Sequence, residues 1–471
     1  MKKIIFCLLL LLSNTIFSQD FFIYKISKPY CIWNFMETAT NGHATSSTLK
    51  KFIEDKTKDN LEFQKLCEDY KKIKLDYSFK RSEFPNERKP YRSTIDLISI
   101  NAVNSKNLIE FDKSIIGILP IAEQQKFVII LKKSELIYNQ IIWNVYEKKL
   151  ILQKNQLSKF KNLNVEIFDK FNHFYNSTWT NKTPFIVALY PIPGKNGYTI
   201  ATPHGNSLCV GVLTDETHYS VRNGVIVHEM CHVLYDEQSS VFQKQLVTYF
   251  ANNKSSFSSF ASAYFDEGLA TALGNGWAYK KINGKLDQSE WYNNKYIEGF
   301  ARAIFPLTEK YISENEQIDN DFIDKAIELF SIKFPNANSD YSLLFNKMNL
   351  YYDNLDENEI TNPIRKYFQN KGLMSSSPIL DPIRVDFLKN SKITQLIVID
   401  EDQKNTLAKL KEIFSEISAV EFENKPLNLS FYSKNNVPIV ILIVNNKSEI
   451  ENEINKINKL KFFDKSKIVQ F

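Results

Sequence analysis

The chain has little glycine, few cysteines and almost no net charge. Only 13 of its 471 residues are glycine and 15 are proline, a composition that favours helices and excludes collagen-like repeats. Five cysteines are too few for the disulfide framework of small secreted domains. Because 59 basic residues nearly balance 54 acidic ones, the charge argues against binding to nucleic acid or to an anionic membrane surface.

Long apolar runs are also missing, since a bilayer span needs ~20 such residues. The run at the N-terminus, Ile4–Leu12, is shorter; it follows two lysines and precedes polar residues, with cleavage expected after Ser18. These three parts are typical of a secretory signal peptide rather than of a membrane anchor. Cys7 lies inside the apolar part, which argues against a lipoprotein. We therefore expect residues 1–18 to be removed and the protein to be exported, to the periplasm or the extracellular space, without a stable membrane span.

The mature chain divides into three predicted segments. Residues 19–172 carry apolar side chains at helical spacing and predict a helical N-terminal region. Residues 173–374 begin with three short strands, of which Tyr198–Thr202 and Ser207–Leu213 are separated by a Gly-Asn hairpin signal. Five helices are then expected, at Ser220–Glu237, Phe260–Leu273, Trp291–Ile312, Asp321–Lys333 and Tyr341–Leu350.

A serine-rich stretch before Pro378 marks the last boundary. Residues 375–471 predict the order strand, helix, strand, strand, helix, strand, which matches a ferredoxin-like unit. No chemistry is visible in this small α/β domain. The predicted fold class is therefore α+β and helix-rich, with all recognisable chemistry in the middle segment.

That chemistry begins with His228-Glu229-Met230-Cys231-His232, an H-E-x-x-H pattern. The residues around it are apolar, so the helix is expected to be buried on nearly all sides. At positions i and i+4 the two imidazoles share one helix face and can bind a single metal ion. Glu229 lies about 100° around the helix from His228, where it can reach a water molecule without being a ligand.

A catalytic zinc ion needs a third protein ligand and an open fourth position. Glu267 follows His232 by 35 residues, in the sequence Glu-Gly-Leu-Ala on a second predicted helix. Gly268 and Ala270 are small and are expected to let this helix approach the first closely. Asp266 competes with Glu267 as the ligand, but it lies about 100° away around the helix.

An H-E-x-x-H motif followed after a few tens of residues by an E-G-x-A helix resembles the gluzincin metallopeptidases, the clan that contains thermolysin and the aminopeptidase-N family. The resemblance covers about residues 183–307. It implies a zincin-like core in which His228, His232 and Glu267 bind one zinc ion per chain and Glu229 is the general base. The G-x-M-E-N motif of the aminopeptidase-N family is absent, which argues against recognition of a free N-terminus in that family's manner.

A third segment, Tyr-Ile-Glu-Gly-Phe-Ala from Tyr296, is similar to the Y-x-K-G-x-x segment of aminopeptidase-N-like enzymes. The resemblance implies that the Tyr296 hydroxyl stabilises the oxyanion, although Glu298 replaces the usual lysine. The alternative is a tyrosine packed in the core. In that case, the donor would be sought among Tyr264, Tyr279, Tyr292 and His204.

Other residues near the motifs have two interpretations each. Asp236, four residues after His232, either orients an imidazole or is a solvated carboxylate at a helix end. In gluzincins a sheet edge near the metal holds extended substrate, and Ser207–Leu213 is the strand closest to the motif; His204 and Asn206, at its start, either contact substrate or form the turn. Cys231 is expected to be a small core residue, and a Cys31–Cys67 disulfide stays open.

The sequence thus predicts a secreted zinc metallopeptidase that hydrolyses peptide or protein substrates by a metal-activated water. The alternative is a secreted binding or structural protein that keeps a zincin scaffold without catalysis. An intact Glu229 favours the enzyme, because a scaffold does not require the base.

Overall fold

A computed structural model describes residues 20–42, 45–88, 91–369, 372–391, 393–400, 402–421, 426–464 and 468–471. The predicted signal peptide lies outside these residues. The described chain is α+β and rich in helices, which confirms the predicted class. It forms two compact units: the chain through Asn252 together with Tyr264–Lys325, and Asn253–Ala263 together with Ala326–Phe471.

The strands are β1 Phe22–Lys25, β2 Ser78–Lys80, β3 Tyr91–Ser93, β4 Phe185–Ile192, β5 Ala201–His204, β6 Ser207–Leu213, β7 Lys347–Tyr352, β8 Gly372–Ser376, β9 Thr394–Ile399, β10 Leu427–Tyr432, β11 Pro438–Ile443 and β12 Val469–Gln470. The helices of the first half are α1 Lys28–Thr40, α2 Ser47–Thr57, α3 Leu61–Lys71, α4 Thr94–Asn104, α5 Leu108–Ser114, α6 Ile121–Tyr138, α7 Asn144–Leu157, α8 Lys161–Tyr175 and α9 Tyr219–Asp236. The later helices are α10 Ser240–Asn252, α11 Ser258–Thr271, α12 Tyr279–Asn283, α13 Lys295–Glu314, α14 Asn320–Lys333, α15 Tyr341–Leu344, α16 Glu357–Tyr367, α17 Pro382–Asn390, α18 Gln403–Ile413 and α19 Ile450–Leu460. Two π-helices, Asn139–Trp143 and Ala272–Ala278, follow α6 and α11, and 3-10 turns lie at Ser158–Phe160, Ala337–Ser339, Ser415–Ile417 and Lys447–Glu449.

The first unit contains a four-stranded sheet in the order β1-β4-β6-β5. Strands β1, β4 and β6 are parallel, and β5 is antiparallel to β6 in the predicted hairpin. Every residue of β4 and β6 is buried, as expected for inner parallel strands that are covered on both faces. The segment predicted as purely helical therefore contributes β1 to this sheet, as well as a small β2–β3 hairpin.

Helices around this sheet start at residues whose caps are readable in the sequence. Ser46, Asn60 and Ser93 each accept a backbone N–H of the first turn of α2, α3 and α4, which satisfies one of the unpaired donors there. One apolar core joins these helices to the sheet and includes Ile53 of α2, Phe63 of α3 and Ile95 of α4. The N-terminal helices and the strands thus share one core.

The second unit contains a six-stranded sheet in the order β12-β10-β11-β9-β7-β8. Alternate residues of its strands pack into two apolar cores. Leu396 and Leu442 belong to one core, and Ile397 and Ile441 belong to the other. The ferredoxin-like prediction is wrong in topology. In such a unit the last strand would pair with the first, but the place beside β9 is taken by β7, and β12 pairs with β10 instead.

Two local predictions also differ from the structure. The helix predicted at Tyr341–Leu350 ends at Leu344, and the chain continues as β7, because its apolar residues pair into a buried sheet. Strand β7 precedes residue 375 and β8 crosses it. The compact units therefore divide the chain at positions other than the boundaries of the three predicted segments. Cys31, Cys67, Cys209 and Cys231 are free thiols. Within the described ranges, no helix combines the length and apolar character that crossing a bilayer requires.

Candidate metal centre

Helix α9 carries the H-E-x-x-H motif through the interior of the first unit. Met230 and Cys231 are fully buried, while His228 and Glu229 expose only 7% and 6% of their surface. Burial of imidazole and carboxyl groups is costly unless they meet polar or charged partners. The helix is therefore buried, as predicted. Its polar side chains consequently need polar or charged partners nearby.

Three predicted ligands come together at one point. Nε2 of His228 and Nε2 of His232 lie 3.0 Å apart, and each lies 3.7 Å from Oε2 of Glu267. A tetrahedral zinc site with bonds of about 2.0–2.1 Å places neighbouring ligand atoms about 3.3–3.4 Å apart. The observed separations bracket that value, so the donor set and its spacing fit a zinc ion.

Asp266 contacts the opposite side of the same imidazole. Nδ1 of His232 donates a hydrogen bond to Oδ1 of Asp266 at 3.0 Å, which leaves Nε2 to face the other ligands. Burial lowers the pKa of His232, but Asp266, Glu267 and Glu229 outweigh it and raise the pKa to about 10. The contact with an imidazole that the sequence analysis considered for Asp236 is thus present at Asp266.

Glu229 is held in the same buried cluster. Burial raises the pKa of its carboxyl, the two histidines lower it, and Glu267 raises it further. A carboxyl with a raised pKa is better matched to accepting a proton near neutral pH. The raised pKa of the buried Glu229 carboxyl is therefore suited to a general base.

Tyr292 is the tyrosine that packs against the ligand group. Its ring lies nearly parallel to the imidazole of His228, with centroids 6.0 Å apart and planes 25° apart. Its hydroxyl is hydrogen-bonded to Glu267, and burial followed by the charge of Glu267 raises its pKa well above the usual range. Sequence analysis names Tyr292 only as an alternative to Tyr296, because the family-like segment begins at Tyr296.

Tyr296 lies four residues later, within α13. Its side chain is buried, its ring centroid lies 5.9 Å from that of Tyr264, and the Lys295 ammonium lies 4.5 Å from the ring. Its backbone N–H donates to the capping side chain of Asn294 at 2.8 Å. These contacts hold the ring and the backbone of Tyr296 in place.

The closest glycine contact with α9 is made by Gly274, which follows α11, and not by Gly268 as predicted. A Cβ added to Gly268 would meet the Phe300 ring of α13 at 2.8 Å, not α9. In the π-helix Ala272–Ala278, a Cβ on Gly274 would lie 2.6 Å from the backbone N of His228 and 2.6 Å from O of Gly224. This direct backbone contact between α9 and the π-helix brings the chain that follows Glu267 against the histidine helix, and π-turns are frequent at functional sites.

The sheet edge differs from the expectation. β6 pairs on both sides, with β4 and β5, so its backbone groups are already used. The edge strands of this sheet are β1 and β5. His204 Nδ1 lies 2.8 Å from Asp96 Oδ1, and Asn206 donates to the Pro184 carbonyl at 2.8 Å. Both residues thus have structural contacts at the turn.

The end of α9 is stabilised by a residue that the sequence did not single out. Arg88 donates to the carbonyl of Tyr235 at 2.8 Å and to Gln238 at 3.0 Å, and its guanidinium carbon lies 3.6 Å from the centroid of the Tyr235 ring. A cation at a helix C-terminus is favourable. Cys231, about one helical turn before Tyr235, is buried beside Tyr175, and burial raises the pKa of its thiol, in keeping with a core residue.

Comparison with known proteins gives no relatives: no family model matches the chain, and no curated protein or solved structure is significantly similar to it.

Proposed function

We propose that the protein is an exported zinc-dependent peptidase with a zincin-like core similar to the gluzincins. The observation that supports this most is the convergence of His228, His232 and Glu267 within 4.8 Å of one another, beside the buried carboxyl of Glu229. Two imidazoles and one carboxylate are a common protein ligand set of catalytic zinc sites. The residues of the motif and the distant Glu267 thus form one group.

Zinc would supply a Lewis acid that polarises the scissile carbonyl and activates a water molecule. Glu229 accepts the proton of the attacking water and passes it to the leaving amine. Asp266 keeps Nδ1 of His232 protonated, so that Nε2 stays available as a ligand. Tyr296 is the proposed hydrogen-bond donor to the oxyanion, and Tyr292 is the alternative donor.

The proposed substrate is a peptide or protein outside the cytoplasm. An extended peptide can add a strand to an exposed sheet edge through main-chain hydrogen bonds. The four-stranded sheet has two edge strands, β1 and β5. Of these, β5 packs with β6 against α9 and is the edge that we propose for the substrate. The near balance of basic and acidic residues, with a formal net charge of +5, gives no reason to expect nucleic acid as a partner.

The decisive experiment compares the mature wild-type protein with Glu229→Gln, which keeps the size of the side chain and removes the base. We expect the wild type to cleave a peptide mixture and Glu229→Gln to lose that activity while its zinc content stays the same. Cleavage by both would exclude Glu229 as the base. If zinc-loaded wild type cleaves nothing, the binding or structural alternative gains support.

A further inference from the structure

The segment before α13 is held in place by one carboxylate. Oε2 of Glu298 accepts hydrogen bonds from the backbone N–H of Trp291 at 2.9 Å and of Tyr292 at 3.0 Å. Two bonds to successive amides fix both the position and the direction of the chain there. Glu298 is the residue that replaces lysine in the family-like segment, so this departure from the pattern has a structural use.

Arg302 completes this side of the attachment. Its Nε donates to the other oxygen, Oε1, of Glu298, and its Nη2 donates to the Ser289 carbonyl. Its guanidinium carbon lies 4.3 Å from the centroid of the Trp291 ring. A half-buried carboxylate that is bonded to an arginine and to two amides has little freedom to move.

The π-helix holds the same segment from the other side. Asn275 donates from its side-chain amide to the Trp291 carbonyl at 3.1 Å. A Cβ on Gly276 would lie 2.8 Å from the Trp291 ring, so glycine gives the indole room to pack. Since Gly274 of this π-helix contacts the backbone of His228, one short element contacts both the metal helix and the Trp291 segment.

These contacts, which we call the clamp (Asn275, Glu298 and Arg302), determine where Tyr292 lies. We propose that Tyr292 is a positioning residue: held by the clamp, it orients Glu267 through its hydroxyl and His228 through its ring, so that the ligand group is arranged before metal binds. This inference rests on the metal group of the proposed function but not on its catalysis. Pre-arranged ligands reduce the ordering cost of binding, and partners of metal ligands are typically worth 10–100-fold in metal affinity.

The test measures cobalt(II) binding to the mature, metal-free protein by competition with a chromophoric chelator, together with the visible absorption of bound cobalt. Tyr292→Phe keeps the ring and removes only the hydroxyl. We expect affinity to fall about 10–100-fold and the cobalt absorption to shift, because Glu267 is no longer held. Glu298→Gln should change both in the same direction by a smaller amount. Tyr249→Phe, which removes a hydroxyl that Gln245 contacts on α10, is the matched control and should change neither.

Wild-type affinity and absorption in Tyr292→Phe would overturn the inference, whatever Glu298→Gln does. If Glu298→Gln does not fold, Tyr292→Phe alone decides, since it disturbs no packing. If the wild type itself binds no cobalt, the proposed metal function fails; binding that is equal in wild type and Tyr292→Phe contradicts only the role of Tyr292.

Discussion

Asp266 accepts a hydrogen bond from Nδ1 of His232 at 3.0 Å, on the side of the imidazole opposite the ligand group. The next residue, Glu267, lies 3.7 Å from Nε2 of the same ring. Successive helical residues point about 100° apart, which allows the two carboxylates to approach the two ring nitrogens. A single turn of α11 therefore contacts both nitrogens of the His232 ring, with Asp266 at Nδ1 and Glu267 at Nε2.

Substitutions of the neighbouring residues Glu267 and Asp266 should weaken zinc binding to different extents. His228→Ala, His232→Ala and Glu267→Ala each remove a ligand and should abolish stoichiometric zinc binding. Asp266→Asn removes only the orienting charge, so one zinc should still bind, about 10–100-fold more weakly. Elemental analysis and chelator competition measure both quantities. Full zinc content in the double histidine variant would exclude the ligand assignment.

Metal-free protein should lose stability as the pH rises. In the folded protein the carboxylates around His232 raise its pKa to about 10 from the ordinary value of 6.5. Its stabilising contribution is therefore fully present below pH 6.5 and is lost as the pH rises through about 10. Asp266→Asn removes the main partner and should flatten this dependence. Urea unfolding in the presence of a chelator, at intervals from pH 6 to pH 9, measures it. Parallel curves for the two proteins would contradict the role of Asp266.

Tyr296→Phe separates an oxyanion donor from a core tyrosine. If the hydroxyl acts only as charge develops, it contributes to the transition state and little to substrate binding. The variant should then lose about 10²–10³ in kcat, with KM, zinc content and thermal stability nearly unchanged. Steady-state kinetics on a cleaved peptide provide the measurement. A wild-type kcat would remove Tyr296 from the mechanism and leave Tyr292 as the donor to test.

Gly274→Ala should disturb both the fold and the site. The added methyl would meet the backbone of His228 and Gly224 at 2.6 Å, and backbone cannot move aside as a flexible side chain can. We expect a loss of about 1–3 kcal/mol in unfolding free energy and weaker metal binding, since His228 must shift. Gly372→Ala, where the nearest atom is the flexible Lys347 side chain at 3.3 Å, is the control and should be nearly neutral. Equal stabilities for the two variants would contradict the close helix contact.

Helix faces, helix burial and tight turns could be predicted from the sequence, because each depends on residues that are neighbours in the chain. The spacing of His228 and His232 places them on one helix face whatever surrounds the helix, and the apolar residues between them require that helix to be buried. The Gly-Asn turn between β5 and β6 is likewise local. Glu267 could be recognised as a candidate ligand because the short sequence around it resembles a family motif.

Contacts between residues that are far apart in the chain could be identified only from the tertiary structure. Asp266 reaches Nδ1 of His232, Tyr292 stacks on His228, and β1 joins the sheet of β4 because the chain folds these segments together, not because any local pattern marks them. The pairing of β9 with β7 instead of β12 has the same origin. Periodicity reports how a residue faces its own helix or strand, whereas the partner it finds depends on contacts between segments far apart in the chain.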